Sequence, residues 1–236
     1  NCSSYTNILY NFSFYDQDTK VPINSSFNLN INIAPYGTNI FFLNYSKSYE
    51  NNTQTKNVCL NIPLNNSVYS VYITSDYQAV GYAKQFYFSD NETISRTLVP
   101  KNISLYDLLL TSTSIFYVSY SNEAGNPVPN AIVHLWRYYI GEGLYREVDN
   151  GRTDTSSSTP LHLIEEDVIY YFTITYNNQL LYTTPPFRAV CLSNPCTIKI
   201  SALTPYVPFP TDWDVYNGTS ITTYANKTSR LVYISF

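Results

Sequence analysis

The feature that most constrains this fold is a strict alternation of apolar and polar residues. Phe27, Leu29, Ile31 and Ile33 are separated by single asparagines. A period of two puts successive side chains on opposite faces, so this stretch predicts a half-buried β-strand with an amide-covered outer face. Similar runs, rich in residues that suit a pleated sheet, lie at 8–15, 40–45, 68–74, 82–88, 115–120, 131–139, 168–176, 180–184 and 197–201.

The connections between these runs also favour β-structure. Asn177 and Asn178 separate two of the runs and predict a tight hairpin from Tyr176 to Gln179. Helical patterns are scarce, and the stretch from Ser104 to Leu110 predicts a single helical turn with Ser104 as its cap. Many short strands with glycine, proline and asparagine between them are typical of an all-β sandwich protein.

A weak internal repeat sets the expected number of domains. The segment T-K-V-P-I at 19–23 precedes the strand at Phe27, and G-N-P-V-P at 125–129 precedes the strand at Ala131. The offset of about 105 residues is the size of one sandwich domain. We therefore expect two tandem β-sandwiches at 1–105 and 112–202, connected through Leu105 to Ser114, and a tail at 203–236.

The tail differs in composition from the rest of the chain. Pro205, Pro208 and Pro210 alternate with apolar residues and predict an extended, polyproline-like path, with Trp213 shortly after it. The last six residues predict a strand with no sheet of its own, and an unpaired apolar strand is unfavourable in water. This strand either folds back onto one of the sandwiches or adds to a sheet in another copy, in which case the donor residues are Leu231, Val232, Tyr233, Ile234 and Phe236. A 30-residue arm reaches about 100 Å when extended, so length permits donation.

The four cysteines indicate the compartment. Cys191 and Cys196 flank a turn-forming stretch, which leaves Cys2 to pair with Cys59. An even cysteine number without metal-binding spacing favours two disulfides in an exported protein, and the alternative is four buried free thiols in a cytosolic protein.

Acceptor sequons for N-glycosylation are in excess. Chance predicts roughly five N-x-S/T sequons at this composition. Sequons begin at Asn1, Asn11, Asn24, Asn44, Asn51, Asn65, Asn91, Asn102, Asn217 and Asn226, and none begins between 103 and 216. Together with the cysteines they predict a secreted or cell-surface protein that carries N-linked glycans.

Charge and hydropathy exclude several classes of protein. Charged residues make up 13% of the chain and its net charge is −4, which argues against nucleic-acid binding. No apolar run is long enough for a transmembrane helix. Methionine is absent and Asn1 begins no signal peptide, so we expect a processed product. One explanation of this composition is a surface of amides and hydroxyls, whose hydrogen bonding to water does not change in acid or at high salt. The alternative is a low-charge β protein from an AT-rich genome.

The segment from Ile115 to Ile200 resembles the carboxypeptidase-regulatory or transthyretin-like family of immunoglobulin-like β-sandwiches. The resemblance rests on G-N-P-V-P-N-A-I-V at 125–133, on Thr153-Asp154, and on Val168 to Tyr176. The family's T-D-x-x-G turn lacks its glycine here, where 155–158 reads T-S-S-S. The related collagen-adhesin domains form an isopeptide bond from a lysine, but no lysine lies between 102 and 198. The resemblance implies an immunoglobulin-like fold and no activity.

The whole composition is also similar to surface glycoproteins and filament subunits of thermoacidophilic archaea. Such proteins are poor in charge, rich in tyrosine, asparagine, serine and threonine, and densely N-glycosylated. This likeness implies an archaeal filament or surface layer.

Candidate chemical groups are few. His134 and His162 predict exposed or hydrogen-bonded strand histidines, and the cluster at 165–167 (E-E-D) predicts a solvated turn. The D-x-D pairs at 16–18 and 212–214 supply too few oxygens for calcium. No nucleotide-binding, hydrolase or metalloprotease motif is present, and paired cysteines leave no thiolate. We therefore expect no enzyme, no metal and no cofactor.

Aromatic residues make up 17% of the chain. They crowd 69–87 and the stretch W-R-Y-Y at 136–139, where they either fill sandwich cores or form a surface for sugars and partners. We expect an extracellular structural protein that assembles with copies of itself by strand donation into a filament or layer. The alternatives are a monomeric adhesin or carbohydrate-binding module, and an accessory ectodomain of a surface or virion complex.

Overall fold

The computed structural model describes residues 2, 7–38, 40–60, 68–95, 100–192, 194–202, 222–226 and 231–235. Among these residues nearly all regular structure is β-strand, which confirms the all-β prediction. The chain divides into two compact units, Asn1–Leu203 and Thr204–Phe236. The larger unit contains two sandwiches, each with its own apolar core.

The first sandwich packs a four-stranded sheet on a three-stranded sheet. Its strands are β1 (Asn7–Asp16), β2 (Ser26–Pro35), β3 (Leu43–Tyr49), β4 (Thr55–Leu60), β5 (Tyr69–Gln78), β6 (Gln85–Ile94) and β7 (Lys101–Asp107). The sheet orders are β3-β2-β5-β6 and β4-β1-β7. In the alternating stretch of β2, Phe27, Leu29, Ile31 and Ile33 are buried, whereas Asn28 and Asn30 are exposed. The core side chains each contribute about 1.5–3 kcal/mol of burial free energy.

The second sandwich begins after a short 3-10 helix, Leu110–Ser112. Its strands are β8 (Ser114–Ser121), β9 (Ile132–Tyr139), β10 (Leu144–Arg152), β11 (Ser158–Leu163), β12 (Ile169–Tyr176), β13 (Gln179–Thr183), β14 (Phe187–Arg188) and β15 (Cys196–Ser201). One sheet has the order β10-β9-β12-β13, with β14 also paired to β12, and the other has the order β11-β8-β15. Its core includes Phe116, Leu135, Leu161, Tyr170 and Phe172.

Both sandwiches are closed in the same way. The first strand of each pairs in parallel with the last, β1 with β7 and β8 with β15. The prolines of the internal repeat lie at matching places, because Pro22 bridges back to Tyr15 and Pro127 bridges back to Ser121. The repeat therefore marks the entry to the second strand of each sandwich.

Two local predictions have opposite outcomes. The hairpin is confirmed, because Asn177 and Asn178 have φ of 49° and 63° between β12 and β13. The prediction of a helical turn from Ser104 to Leu110 is wrong. Residues 101–107 are strand β7, because Ile103 and Leu105 add to the first core while the backbone pairs with β1.

The smaller unit contains a hairpin. Strand β16 (Thr222–Asn226) pairs antiparallel with β17 (Leu231–Ser235). The sequence predicts a final strand that pairs either with one of the sandwiches or with another copy, whereas the structure pairs it with a neighbouring strand of the same unit. Residues 222–226, rich in threonine, form a strand that the apolar pattern does not indicate. The proline segment, Trp213 and Phe236 lie outside the described residues.

No described helix is long and apolar enough to cross a bilayer.

Candidate functional site

All four cysteines are paired. Cys2 bonds to Cys59, which ties the residues before β1 to the end of β4, and the two are separated by 57 residues. Cys191 bonds to Cys196, only 5 residues away, at the start of β15. These are the pairs that the cysteine spacing predicts. Glu165 lies beside the second pair, but sulfurs joined in a disulfide are not available as thiolate ligands.

Six sequon asparagines of the larger unit lie at or near the surface. Asn24, Asn44, Asn51 and Asn102 are exposed, and Asn11 and Asn91 are half-buried. Asn226 lies on β16, whereas Asn1, Asn65 and Asn217 lie outside the described residues. Two sequons are side by side on parallel strands, since Nδ2 of Asn11 donates to Oδ1 of Asn102 at 3.1 Å. A glycan on one of these asparagines would crowd the other.

The first acidic pair stabilises a turn. Oδ1 of Asp16 accepts hydrogen bonds from the backbone N–H groups of Asp18 and Thr19, and Oδ2 accepts from the Tyr82 hydroxyl at 2.8 Å. Burial opposes ionisation of Asp16, but these hydrogen bonds hold its pKa below the usual range. Asp18 instead pairs with Arg137. The second pair, Asp212 and Asp214, lies outside the described residues.

His134 lies between a carboxylate and a hydroxyl, as a hydrogen-bonded strand histidine. Its Nδ1 is 2.6 Å from Glu147 Oε1, and its Nε2 is 2.9 Å from Thr175 Oγ1. Burial acts to raise the pKa of Glu147, but His134 and Asn150 hold it below its usual range. A hydroxyl, an imidazole and a carboxylate in this order occur in nucleophilic sites. Strand β9, which carries His134, pairs with both β10 and β12. The backbone N–H groups that form these ladders are therefore engaged and are not free to bind a substrate oxygen.

His162 has a different environment from the one predicted. Its side chain is buried, and its Nδ1 has no hydrogen-bond partner among the described residues. Burial lowers the pKa of its imidazole. Alternation between Leu161 and Leu163 suggested an outward-facing histidine, but His162 lies beside the buried Asp149 of β10, which accepts a hydrogen bond from its backbone N–H.

The two sandwiches meet along their edge strands β6 and β10. The Asn150 side chain makes two hydrogen bonds with the backbone of Phe88, as a residue of a paired strand would. Its Oδ1 accepts from the Phe88 N–H at 2.7 Å, and its Nδ2 donates to the Phe88 carbonyl at 3.2 Å. Arg152 pairs with Asp90, and the Tyr139 hydroxyl donates to the Gln17 carbonyl at 2.8 Å. Polar groups therefore hold the junction together, and beside it lies a cavity of about 230 Å³.

Four aromatic rings cluster on the five-stranded sheet of the second sandwich. Trp136 and Tyr171 are parallel, with ring centroids 5.8 Å apart. Tyr145 contacts Tyr171 edge-on at 4.7 Å, and Tyr138 contacts Tyr145 at 4.9 Å. All four are half-buried, so they form part of the molecular surface rather than the core.

An open groove runs between the two sheets of the second sandwich, on the side of β13. We call it the edge groove; its volume is about 480 Å³. Its walls are mostly apolar, and Leu181 at 43% exposure and Tyr176 at 41% belong to them. The lining residues are Tyr120, Asn122, Glu123, Ala124, Val128, Tyr176, Leu181 and Ala202. No sequon begins between 103 and 216, so no glycan acceptor lies on this sandwich.

Comparisons with known proteins give no family. No protein-family model and no curated protein matches the chain. Among solved structures, the chain is similar to the shaft pilin SpaA of Lactobacillus rhamnosus GG, with 10% identity, a TM-score of 0.29 and coverage of 83% of this chain and 97% of the pilin.

A streptococcal ancillary pilin is also similar, with 12% identity, a TM-score of 0.29 and coverage of 83% and 62%. The minor pilin of Streptococcus agalactiae has 11% identity, a TM-score of 0.23 and coverage of 84% and 99%. Identities and TM-scores this low assign neither a family nor an activity.

Proposed function

We propose that this chain is an extracellular, N-glycosylated structural protein that assembles with copies of itself. In the proposed assembly, strand β17 of one copy adds to the edge of β13 in the next, forming a filament or layer of the kind found on archaeal cells. The proposal includes no catalytic role and no cofactor. The observation that carries it is the edge groove, an apolar opening beside a sheet edge.

The donor segment supports this proposal. A hairpin of two strands is at best marginally stable alone in water. One edge of β17 pairs with β16, and among the described residues its other edge has no strand partner. Its sequence, L-V-Y-I-S, is apolar on both faces. Adding β17 to a sheet would pair its backbone and bury alternate side chains.

The charges beside the donor strand and in the groove, and the length of the connecting segment, also support strand donation. Lys227 and Arg230 precede the donor strand, and Glu123 is the acidic residue of the groove lining. Residues 203–221 span about 60 Å at full extension, which is enough to reach a neighbouring molecule. The absence of sequons on the acceptor sandwich leaves room for close contact between copies.

A complementation experiment tests the proposal. Deletion of 229–236 removes the donor, and Leu181→Arg places a charge in the acceptor groove. Each variant alone should remain monomeric by light scattering and form no filament in electron micrographs. An equimolar mixture should give a discrete dimer, because the truncated copy still has an intact groove and the other copy still has its strand.

Val80→Arg is the matched control, because Val80 is 85% exposed in a turn of the first sandwich. It should assemble like the unaltered chain. Normal assembly of the truncated chain, or an unaltered chain that stays monomeric at every concentration, contradicts the proposal.

The aromatic cluster supports a second candidate, a monomeric carbohydrate-binding module. Tyrosine and tryptophan rings stack on sugars while their polar atoms stay hydrated. Here the Trp136 Nε1 donates to Thr173 Oγ1 at 2.9 Å, which fixes the indole ring. A glycan array with the unaltered chain and with Trp136→Ala tests this role. Binding that disappears in the variant supports it, and an array without signal contradicts it.

A further inference from the structure

The junction between the two sandwiches encloses two carboxyl groups. Asp107, the last residue of β7, is 0% exposed, and Asp149 in β10 is 4% exposed. Buried carboxylates in proteins are normally paired with a cation. The charges that act on Asp107 are instead those of Asp149 and Asp16, which are both acidic.

Hydrogen bonds satisfy only part of each carboxyl. Oδ2 of Asp107 accepts from the Ala79 N–H at 2.7 Å, and Oδ2 of Asp149 accepts from the His162 N–H at 3.2 Å. The Gln85 side chain and the Phe86 backbone N–H of the first sandwich also act on Asp149, and they lower its pKa against the larger opposing effect of burial. The Oδ1 atom of each aspartate has no hydrogen-bond partner among the described residues.

Other buried polar atoms without a partner among the described residues lie close to these carboxyls. The Gln17 N–H donates to the Asp107 carbonyl at 2.9 Å, and both the oxygen and the nitrogen of the buried Gln17 amide lack a partner among the described residues. Nδ1 of His162 is 3.9 Å from Asp149 Oδ2. A protonated carboxyl carries an O–H donor and an ionised one does not. Because both carboxyls are buried and no lysine or arginine of the described residues pairs with them, the neutral form of each aspartate is the form that suits this site.

We propose that Asp107 and Asp149 form a proton lock at the junction. In acid both are neutral and the sandwiches pack firmly, whereas at neutral and alkaline pH their ionisation loosens the junction.

Burial sets the pH range of the lock. It raises the pKa of Asp107 to about 8, and the charges of Asp149 and Asp16 act in the same direction. Burial also raises the pKa of Asp149 to about 7. A carboxyl whose pKa is higher in the folded chain stabilises the fold fully below its ordinary pKa, near 4, and loses this effect as pH rises through 7 to 8.

Apart from Asp90, the other groups around the lock titrate elsewhere or with the opposite sign. The lowered pKa of His162 means that its contribution is lost as pH falls below about 6.5. The lowered pKa values of Asp16 and Glu147 confine their effects to pH below about 4. Burial also raises the pKa of Asp90, which pairs with Arg152 across the junction. The tyrosines that face the two carboxyls ionise only in strong alkali: Tyr77, Tyr82 and Tyr170. The range from pH 6.5 to 8 therefore separates the two aspartates from His162, Asp16, Glu147 and the tyrosines, whereas Asp90 acts in the same direction as the two aspartates.

Denaturant unfolding of the full, disulfide-bonded chain tests the lock. Between pH 6.5 and 8, each carboxyl that keeps its proton only in the folded state raises the unfolding equilibrium constant by up to about tenfold per pH unit. Asp149→Asn and Asp107→Asn should each reduce this slope, and the double variant should nearly abolish it. Asp76→Asn is the control, because Asp76 is paired with Lys84 at the surface and should leave the slope unchanged. A slope that survives in the double variant, or stability that rises with pH in the unaltered chain, overturns the proposal.

Hydrogen exchange of the unaltered chain tests the location without any variant. After correction for the intrinsic effect of pH, residues 79–85 and 105–110 should exchange at least tenfold faster at pH 8 than at pH 6. The core strand β2 should change less. Equal acceleration in both places would mean that the whole fold loosens and would refute a lock at the junction. Neither experiment depends on assembly, so the lock and the proposed function can fail separately.

Discussion

Asn150 offers the sharpest test of how the two sandwiches are held together. Replacing it with alanine removes the two hydrogen bonds to Phe88 and a third, from Nδ2 to Glu147 Oε1 at 2.9 Å. Each bond contributes about 0.5–1.5 kcal/mol net, and a buried group left without a partner costs about 1–3 kcal/mol. We expect Asn150→Ala to lower the free energy of unfolding by about 2–4 kcal/mol.

Guanidinium denaturation followed by circular dichroism measures this change through the midpoint at constant slope. Asn28→Ala is the matched control, because the exposed Asn28 amide makes one side-chain hydrogen bond within the described part of the chain, to Asp76 Oδ2 at 3.0 Å. The control should cost less than about 0.5 kcal/mol. If both substitutions have the same small effect, the junction is not held by this side chain and the reasoning is refuted.

Three further substitutions test packing, backbone conformation and crosslinking. Gly151→Ala should cost about 1–3 kcal/mol because its Cβ would overlap Thr159 Oγ1, and the loss should shrink in a Thr159→Ala background, measured by a double-mutant cycle. Ser157→Gly should raise the free energy of unfolding by about 0.5–1 kcal/mol, since Ser157 has φ of 62° and a buried hydroxyl without a partner, and an unchanged melting temperature would contradict this. Replacing Cys2 and Cys59 with alanine should cost about 4 kcal/mol, against about 2 kcal/mol for the short disulfide, and equal losses in calorimetry would refute the loop-length argument.

Local pattern was enough to predict the fold class and many strands. The alternation at Phe27 to Ile33 survives in the structure because one face of β2 packs on the core and the other meets water. The turn at 153–157 also follows from local pattern. Ser157 stands at the position of the missing glycine of the turn and adopts the positive φ that glycine favours.

Elements that depend on long-range contacts could not be predicted in this way. Strand β10 reads L-Y-R-E-V-D-N-G-R, too polar for a core strand, yet it is buried in part because the first sandwich covers it. The same contact makes Asp149 and Asn150 important, and nothing near them in sequence indicates it. Asp107 could have been recognised from the sequence, because it is a lone carboxylate in the apolar run L-Y-D-L-L-L.

The parallel pairing of first and last strands determines how each sandwich bears load. The entering strand β1 and the leaving strand β7 run side by side over Tyr10–Asp16 and Lys101–Asp107, and β8 and β15 do the same. Tension along the backbone therefore pulls the paired strands in opposite directions, across their hydrogen bonds. All the bonds of a ladder then share the force in shear instead of opening one after another, so each sandwich is built to resist stretching.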